Sequence, residues 1–448
     1  MIPAAADHPF RTRPHRTLLG LALPVLVSLI AEPLTGLVDT AFVSRLGTEP
    51  LAALGVGTVL LSSLFWVFNF LGIGTQSSVA KALGAGRAAE ARSVAATSIV
   101  TALVLGVVVA GLAFPFLDRL VGFMGATSEM HEGALVYLRI RLLGAPAILL
   151  ILASFGALRG RQNMRTPLYI AVGLNVLNVA LDGLLIFGWG PVPAFGLAGA
   201  ASASVFSQWA GALVAVAAAT SGLGGRGRVE LRALRELFIV GRDLVVRTGS
   251  LLLFLLLATR EATLLGNDAA AAHQAVRQVW MFGAFLLDAW AASAQSLVGF
   301  FLGAGQRDVA RRVAGVATGW ALLSGVALAA AMFAGEGAIV WLVVPLEAEE
   351  AFAAIWWISA IAQPLNALSF VTDGIHWGTG DYRYLRNVML LATVFGATAL
   401  LTLPPGWTGV LPLIWWITMA WIGVRAAFGL LRIWPGIGAA PLVVGTGK

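Results

Sequence analysis

Cysteine is absent from the 448 residues. That excludes disulfides, thiolate metal sites and a cysteine nucleophile. Charge is also scarce: 11% of residues carry one, against about 25% in soluble domains. So little charge cannot coat a water-facing surface, and with 59% hydrophobic residues and a mean hydropathy of +0.87 the solvent is a bilayer. No polar stretch long enough for a soluble domain separates the apolar runs. Histidines number 5; His273 and His376 lack metal-ligand spacing and are expected to pack or hydrogen-bond. The glycine-rich LGAG turns at Leu83 and Leu302 are not followed by a Walker pattern, which excludes a phosphate-cradling nucleotide site of that kind. The formal net charge is +7, which in a soluble chain would suggest nucleic acid. Here the basic residues sit between apolar runs, without the aromatic interleaving of single-strand binders, so no nucleic acid is expected as a partner.

A membrane-crossing helix needs about 20 apolar residues. Twelve stretches qualify: 17–45, 50–80, 93–114, 128–152, 163–187, 194–220, 234–263, 271–300, 311–334, 348–374, 384–403 and 410–434. The expected fold is therefore an all-α integral membrane protein with twelve transmembrane helices. Orientation follows from lysine and arginine, which collect on the cytoplasmic side. The N-terminus carries Arg11, Arg13 and Arg16, and the loop after the sixth stretch carries Arg226, Arg228, Arg232 and Arg235. Lys81, Arg159, Arg307 and Arg383 mark the other loops of that side, whereas the loop after the ninth stretch holds Glu347, Glu349 and Glu350. Both termini are thus expected in the cytoplasm. The apolar run after the N-terminus is nearly thirty residues long and contains Asp39, so it reads as a retained helix, not a signal peptide.

The chain is duplicated. Residues 46–95 shifted by 219 lie on residues 265–314 without a gap, with 15 identities in 50 positions. Gln76 falls on Gln295, Leu83 on Leu302 and Arg92 on Arg311; with a shift of 218, Pro146 falls on Pro364, Gly156 on Gly374 and Gly160 on Gly378. Six helices per half give both halves the same orientation, a parallel repeat about an axis along the membrane normal. The expected lobes are residues 1–220 and 221–448, six helices each, with a substrate cleft where two like bundles face each other.

Within this frame some residues are out of place. An acid at membrane depth costs at least ~2.5 kcal/mol and marks a functional candidate. The first stretch carries Glu32 and Asp39 and is interrupted by Pro24 and Pro33. Proline removes a helix hydrogen bond and invites a kink, so Pro24 is a candidate hinge responding to protonation of Asp39. At 1.5 Å per residue, Asp39 and Asp182 both lie roughly 8–9 Å from the outer helix ends, and Tyr137 and Ser204 lie roughly 14–15 Å in. Asn178 precedes Asp182 by one turn and shares its face. The repeat makes the acids asymmetric, since Asp39 maps to Ala258 and Asp182 to Leu400. A carboxylate pair in one half suits a shared proton; the same oxygens with Asn178 and Ser204 could ligate sodium, and the residues leave both open. The second half has Arg277, Asp288 and Asp373 as further candidates, for an ion pair or for a substrate role. Arg139 and Arg141 could neutralise Glu32 or Asp182. Trp280 and Trp377 are candidates for contact with an aromatic cation.

The motifs PLTGLVDTAFVSRLG at 33–47, GTQSSVAKALGAG at 74–86, GALRGRQNMRTP at 156–167, NVLNVALDGLLIFGWG at 175–190 and GLAGAASASVFSQ at 196–208 resemble the MATE (multidrug and toxic compound extrusion) family. AQSLVGFFLGAG at 294–305 and SFVTDGIHWGTGDYRYLRN at 369–387 look like its DinF branch. The resemblance covers nearly the whole chain. It implies two six-helix lobes and export of amphipathic, often cationic organic compounds by alternating access, as an antiporter driven by a proton or sodium gradient, with no other cofactor. It points to Asp39, Asn178 and Asp182 as the coupling site, with Tyr137 and Ser204 as hydrogen-bond partners. The expected setting is a bacterial inner membrane, the expected partners are a small organic substrate and membrane lipid, and the expected state is a monomer. One alternative is a lipid-linked oligosaccharide flippase of the same superfamily, for which twelve helices and an acidic outer lobe are unfavourable. A membrane-embedded enzyme is the other; it needs a nucleophile–base pair or metal ligands at one depth, and the sequence offers none.

Overall fold

A computed structural model describes residues 4–126, 128–225, 227–404 and 409–443, without the side chains of Glu32, Ser128 and Glu129. Among the described residues the chain is helical, apart from one isolated bridge between Trp189 and Val192. The helices are α1 (Pro14–Val43), α2 (Thr48–Trp66), α3 (Phe70–Gly84), α4 (Ala88–Ala113), α5 (Leu117–Phe123), α6 (Ser128–Leu142), α7 (Ala145–Gly160), α8 (Arg165–Phe187), α9 (Gly196–Gly222), α10 (Leu231–Leu264), α11 (Asn267–Gly303), α12 (Arg307–Val343), α13 (Glu349–Ile361), α14 (Gln363–Thr379), α15 (Tyr382–Leu401) and α16 (Val410–Ile433). Helix is the form such apolar stretches must take, because lipid offers no partner for an unpaired backbone N–H or C=O.

Among the described residues, 9 helical runs are long and apolar enough to cross a membrane, and 11 if each of two bent pairs is one crossing. The one expected stretch outside these is the seventh, 234–263, which is α10. It is a continuous helix, but Arg235, Glu236, Arg242, Asp243, Arg247, Arg260 and Glu261 punctuate it. The bends were not foreseen. The crossing expected over 128–152 is α6 and α7, continuing to Gly160 with a 47° bend; that expected over 348–374 is α13 and α14, continuing to Thr379 with a 48° bend. Proline stands in the first turn of both α7 and α14. These are Pro146 and Pro364, each lacking the N–H that would tie it back to the preceding helix.

The duplication is therefore structural as well as textual. After α3, Arg87 N–H donates to Ala82 O at 2.8 Å, and after α11, Gln306 N–H donates to Phe301 O at 2.8 Å. Gly86 (φ 72°) and Gly305 (φ 73°) supply the left-handed residue in each turn. This is the Schellman closure of a helix C-terminus. A left-handed L-residue costs about 1–2 kcal/mol, so Gly86→Ala and Gly305→Ala should each destabilise the protein by about that amount; thermal melts of the two variants in detergent check it.

Packing repeats too. A Cβ on Gly160 would lie 2.6 Å from Gln76 O and 2.9 Å from Val79 Cβ, and one on Gly378 would lie 2.7 Å from Gln295 O and 3.0 Å from Val298 Cβ. Gly106 is pressed against Pro146, and Gly325 against Pro364. Each partner is displaced by 218 or 219 residues, so the same helix crossings are built twice. Small residues let the backbones approach where hydrophobic force between helices is absent in lipid.

Two compact units result: Val27–Gly241, and Met1–Leu26 together with Arg242–Lys448. They do not coincide with a cut at residue 220. The N-terminal segment joins the second unit because His8 packs on Phe300 and Phe301 with ring centroids 5.2 and 5.0 Å apart, and Phe10 on Phe301 at 6.0 Å. The border inside α1 falls two residues after Pro24. In the first unit a core of Leu54, Leu138 and Ile186 sits between α2, α6 and α8; in the second, Phe254, Trp356 and Trp421 form the centre.

Candidate functional site

In the unit Val27–Gly241, α8 packs along α9, and α2 along α6. Asp182 on α8 is fully buried at 0% exposure, and Asn178 one turn earlier is buried beside it. Asp39 on α1 is half-buried. The carboxyl groups of Asp39 and Asp182 lie within hydrogen-bonding reach of each other, and the Arg141 guanidinium acts on both. Among the described residues no hydrogen-bond donor serves either oxygen of Asp182 or Oδ1 of Asp39, and Asn178 Nδ2 likewise finds no partner there. Buried polar atoms are nearly always paired. A cluster of unpaired oxygens is completed by a proton held between the two acids or by a small cation.

Arg141 is held from behind. Its Nη1 donates to Gln208 Oε1 at 3.0 Å, and its guanidinium carbon lies 6.0 Å from the centroid of the Tyr137 ring. Tyr137 is buried with a ring edge against Gly57, where a Cβ would stand 2.5 Å from the ring. Arg141, and not the exposed Arg139, is thus the basic residue that reaches the acids. Ser204 is buried on α9. Neither hydroxyl, of Tyr137 or of Ser204, donates to Asp182. Glu32 lies on α1, and its side chain is outside the described residues. Pro24 stands inside an unbroken α1.

Sodium would find the oxygens of Asp39 and Asp182 and, with its amide turned, the Asn178 carbonyl. Among the described residues no group of three or more His, Cys, Asp or Glu gathers to hold a metal. The Arg141 guanidinium already acts on the pair through its charge. These donors fit a proton better than a cation that needs a full oxygen shell.

The second unit is built differently. Asp373 on α14 is buried, and its Oδ2 accepts from Arg247 Nη2 on α10 and from Arg425 Nη2 on α16, the latter at 3.0 Å. Sequence reasoning found Asp373 and missed both arginines. Their signal was a lone arginine inside an apolar run, LVVRTGSLLL and WIGVRAAFGL. Arg277 is half-buried, donates through Nε to Gln274 Oε1 at 3.1 Å, and lines a small hollow with His273, Trp280 and Trp415. Asp288 is half-buried on α11. His273 contacts Thr259 Oγ1 at 3.3 Å and His376 contacts Gly429 O at 3.2 Å, so both histidines are structural partners as expected. Trp377 lies 5.3 Å beneath the Arg247 guanidinium.

The sequence profile of the MatE family matches residues 24–184 and 249–400, one segment in each copy of the repeat. The chain belongs to the MatE family. As a MatE protein it is an integral membrane transporter. The plant protein DETOXIFICATION 44, chloroplastic, of Arabidopsis thaliana is 31% identical over 431 residues, covering 93% of this chain and 81% of the relative. DNA damage-inducible protein F of Escherichia coli K12 is 30% identical over 443 residues, covering 95% and 93%. A crystal structure of a MATE protein in the bent conformation superposes with a TM-score of 0.85 at 23% identity, over 94% of this chain and 95% of that one. The twelve-helix, two-lobe MatE fold is therefore the fold of this chain.

Proposed function

We propose that this MatE transporter exports amphipathic, often cationic organic compounds in exchange for protons, with Asp39 and Asp182 as the coupling pair. The observation that carries the reading is the pair itself: two carboxyl groups within reach of each other in one unit, with no donor among the described residues to Asp182 or to Asp39 Oδ1, at positions where the repeat has Ala258 and Leu400. Alternating access needs a ligand that binds one state better than the other; equal affinity shifts nothing. A proton on the pair removes charge from a buried site, and a cationic substrate leaves as it arrives. Asn178 and Arg141 set the polarity around the pair, with Tyr137 and Ser204 completing its wall.

Pro24 is the proposed hinge. It stands two residues before the point where α1 passes from one compact unit to the other, and a helix lacking one backbone bond there can bend as the pair changes charge. Both termini are placed in the cytoplasm of a bacterial inner membrane, with the chain acting as a monomer surrounded by lipid. Single-cysteine labelling checks the orientation in this Cys-free chain. A cysteine replacing Arg228 should react with an impermeant reagent only from the cytoplasmic side; labelling from outside would overturn the placement.

The test of the function is uphill substrate movement in proteoliposomes with proton and sodium gradients imposed independently. An inward proton gradient alone should drive export. Export driven by sodium alone would overturn the choice of ion, and no response to either would overturn the coupling.

A further inference from the structure

We infer that the second unit holds an anion site between Arg247 and Arg425, of the class that takes a carboxylate or halide monoanion. The inference does not rest on the acid-pair reading and involves no residue of it. Arg247, Asp373 and Arg425 are 7%, 6% and 5% exposed, inside three helices of a membrane protein. Two guanidinium groups share one carboxylate, so the cluster keeps one positive charge in excess. Excess buried charge is costly, and an isolated charge is costlier than a pair.

The hydrogen bonding is unfinished in the same sense. Both arginines spend Nη2 on the same oxygen, Asp373 Oδ2. Nε of Arg247 and Nε of Arg425 are buried and have no partner among the described residues. Guanidinium presents its donors as a planar fork that matches an oxyanion two bonds at a time. In each arginine Asp373 occupies Nη2 while Nε is unused. Two further donors belong to the same neighbourhood. Among the described residues Trp421 Nε1 is buried without a partner, and the Arg425 guanidinium carbon lies 4.6 Å from the Trp421 ring centroid. Ser369 Oγ, one turn before Asp373 on α14, likewise finds no partner among them.

Other charged groups near this cluster are already matched. Asp381 takes Arg432 Nε at 2.8 Å, and Asp243 takes Arg386 Nη1 at 2.8 Å. The vacant fork is therefore not the far end of a longer ion network through those acids. On α16, Thr418, which lines the hollow with Trp280 and Trp415, precedes Arg425 by two turns on one face, about 10 Å along the axis. The repeat gives this site no counterpart in the other unit, where Arg247 and Arg425 map by 219 and 218 to Ser28 and Ser207.

Asp373 then acts as a built-in competitor that an incoming anion partly displaces from the forks. The probes are sodium acetate, sodium benzoate and sodium bromide, titrated into purified protein in detergent at fixed ionic strength, with the thermal midpoint as readout. Wild type should show a saturable stabilisation. Arg425→Gln should weaken the apparent affinity by about tenfold or more, and Asp373→Asn should strengthen it by a similar factor, as each removes a partner or a competitor. Equal midpoint curves in wild type and both variants would overturn the site. Should either variant fail to fold, wild-type crystals soaked in bromide decide: an anomalous peak between the two guanidinium groups supports the site, and none at a concentration that saturates the thermal response overturns it. Benzoate binding without acetate binding assigns the site to the acidic group of an organic substrate; equal binding assigns it to free anions.

Discussion

Asp39→Asn and Asp182→Asn should each abolish gradient-driven export, by about a hundredfold or more, while the protein still folds and inserts, because a site that no longer distinguishes two states shifts nothing. The asparagine side chain keeps the shape and the capacity to hydrogen-bond, and it removes the exchangeable charge. Among the described residues no donor serves either oxygen of Asp182, and an amide there can still hydrogen-bond to Asp39, so stability should change little. Asn178→Ala leaves both acids in place and should reduce export less than either acid variant. Transport in proteoliposomes is the readout, alongside a thermal melt that reports folding. An Asp182→Asn protein that still drives substrate uphill at the wild-type rate would remove the pair from the mechanism. Asp373 and Asp288 would then be the acids to examine.

Gly374→Ala should be the most damaging single-methyl change in the second unit. The added Cβ would stand 2.2 Å from Ala291 O and 2.5 Å from Ala291 Cα, both backbone atoms of α11. A side chain could turn away; a helix backbone cannot, so α11 and α14 must part. Overpacking of this kind costs about 1–3 kcal/mol, and this contact belongs at the upper end. Gly156→Ala repeats the experiment in the first unit, where the Cβ would meet Gly72 O at 2.4 Å. Gly423 on α16 has nothing within 4 Å and serves as the control. There the same substitution should be neutral or stabilising, by up to about 1 kcal/mol, since glycine is a poor helix former. Melting midpoints in detergent separate the cases. If Gly374→Ala melts with wild type, the close crossing of α11 and α14 is not as described.

What the sequence disclosed depended on whether the signal was local. The repeat was legible because the LGAG turns and the glycine–backbone contacts are fixed by short identities at a constant offset. Asp39 and Asp182 were legible because a carboxylate in an apolar run is conspicuous by itself, and the offset showed that neither has a twin. Arg141 was named, but its choice between Glu32 and Asp182 depended on how α6 meets α1 and α8. The equal bends of 47° and 48° had a visible cause in Pro146 and Pro364, yet proline permits a kink without setting its angle. Least legible was the Arg247–Asp373–Arg425 cluster. Its members are 126 and 52 residues apart from one another in pairs through Asp373, and no periodicity links positions brought together only by the packing of α10, α14 and α16. The border within α1 was hidden for the same reason, because His8 and Phe10 find Phe300 and Phe301 from the far end of the chain.

The central claim is that a substrate and a proton compete through one carboxyl pair. Linkage makes that competition measurable at equilibrium, without transport: a ligand that displaces a proton must release it. The measurement is proton release on adding a lipophilic aromatic cation to purified protein in weakly buffered detergent, followed with a pH indicator at a pH where the pair is protonated. Wild type should release about one proton per substrate bound, and Asp39→Asn and Asp182→Asn should bind without releasing any. Substrate binding with no proton release by wild type, or with undiminished release by both variants, would contradict the account.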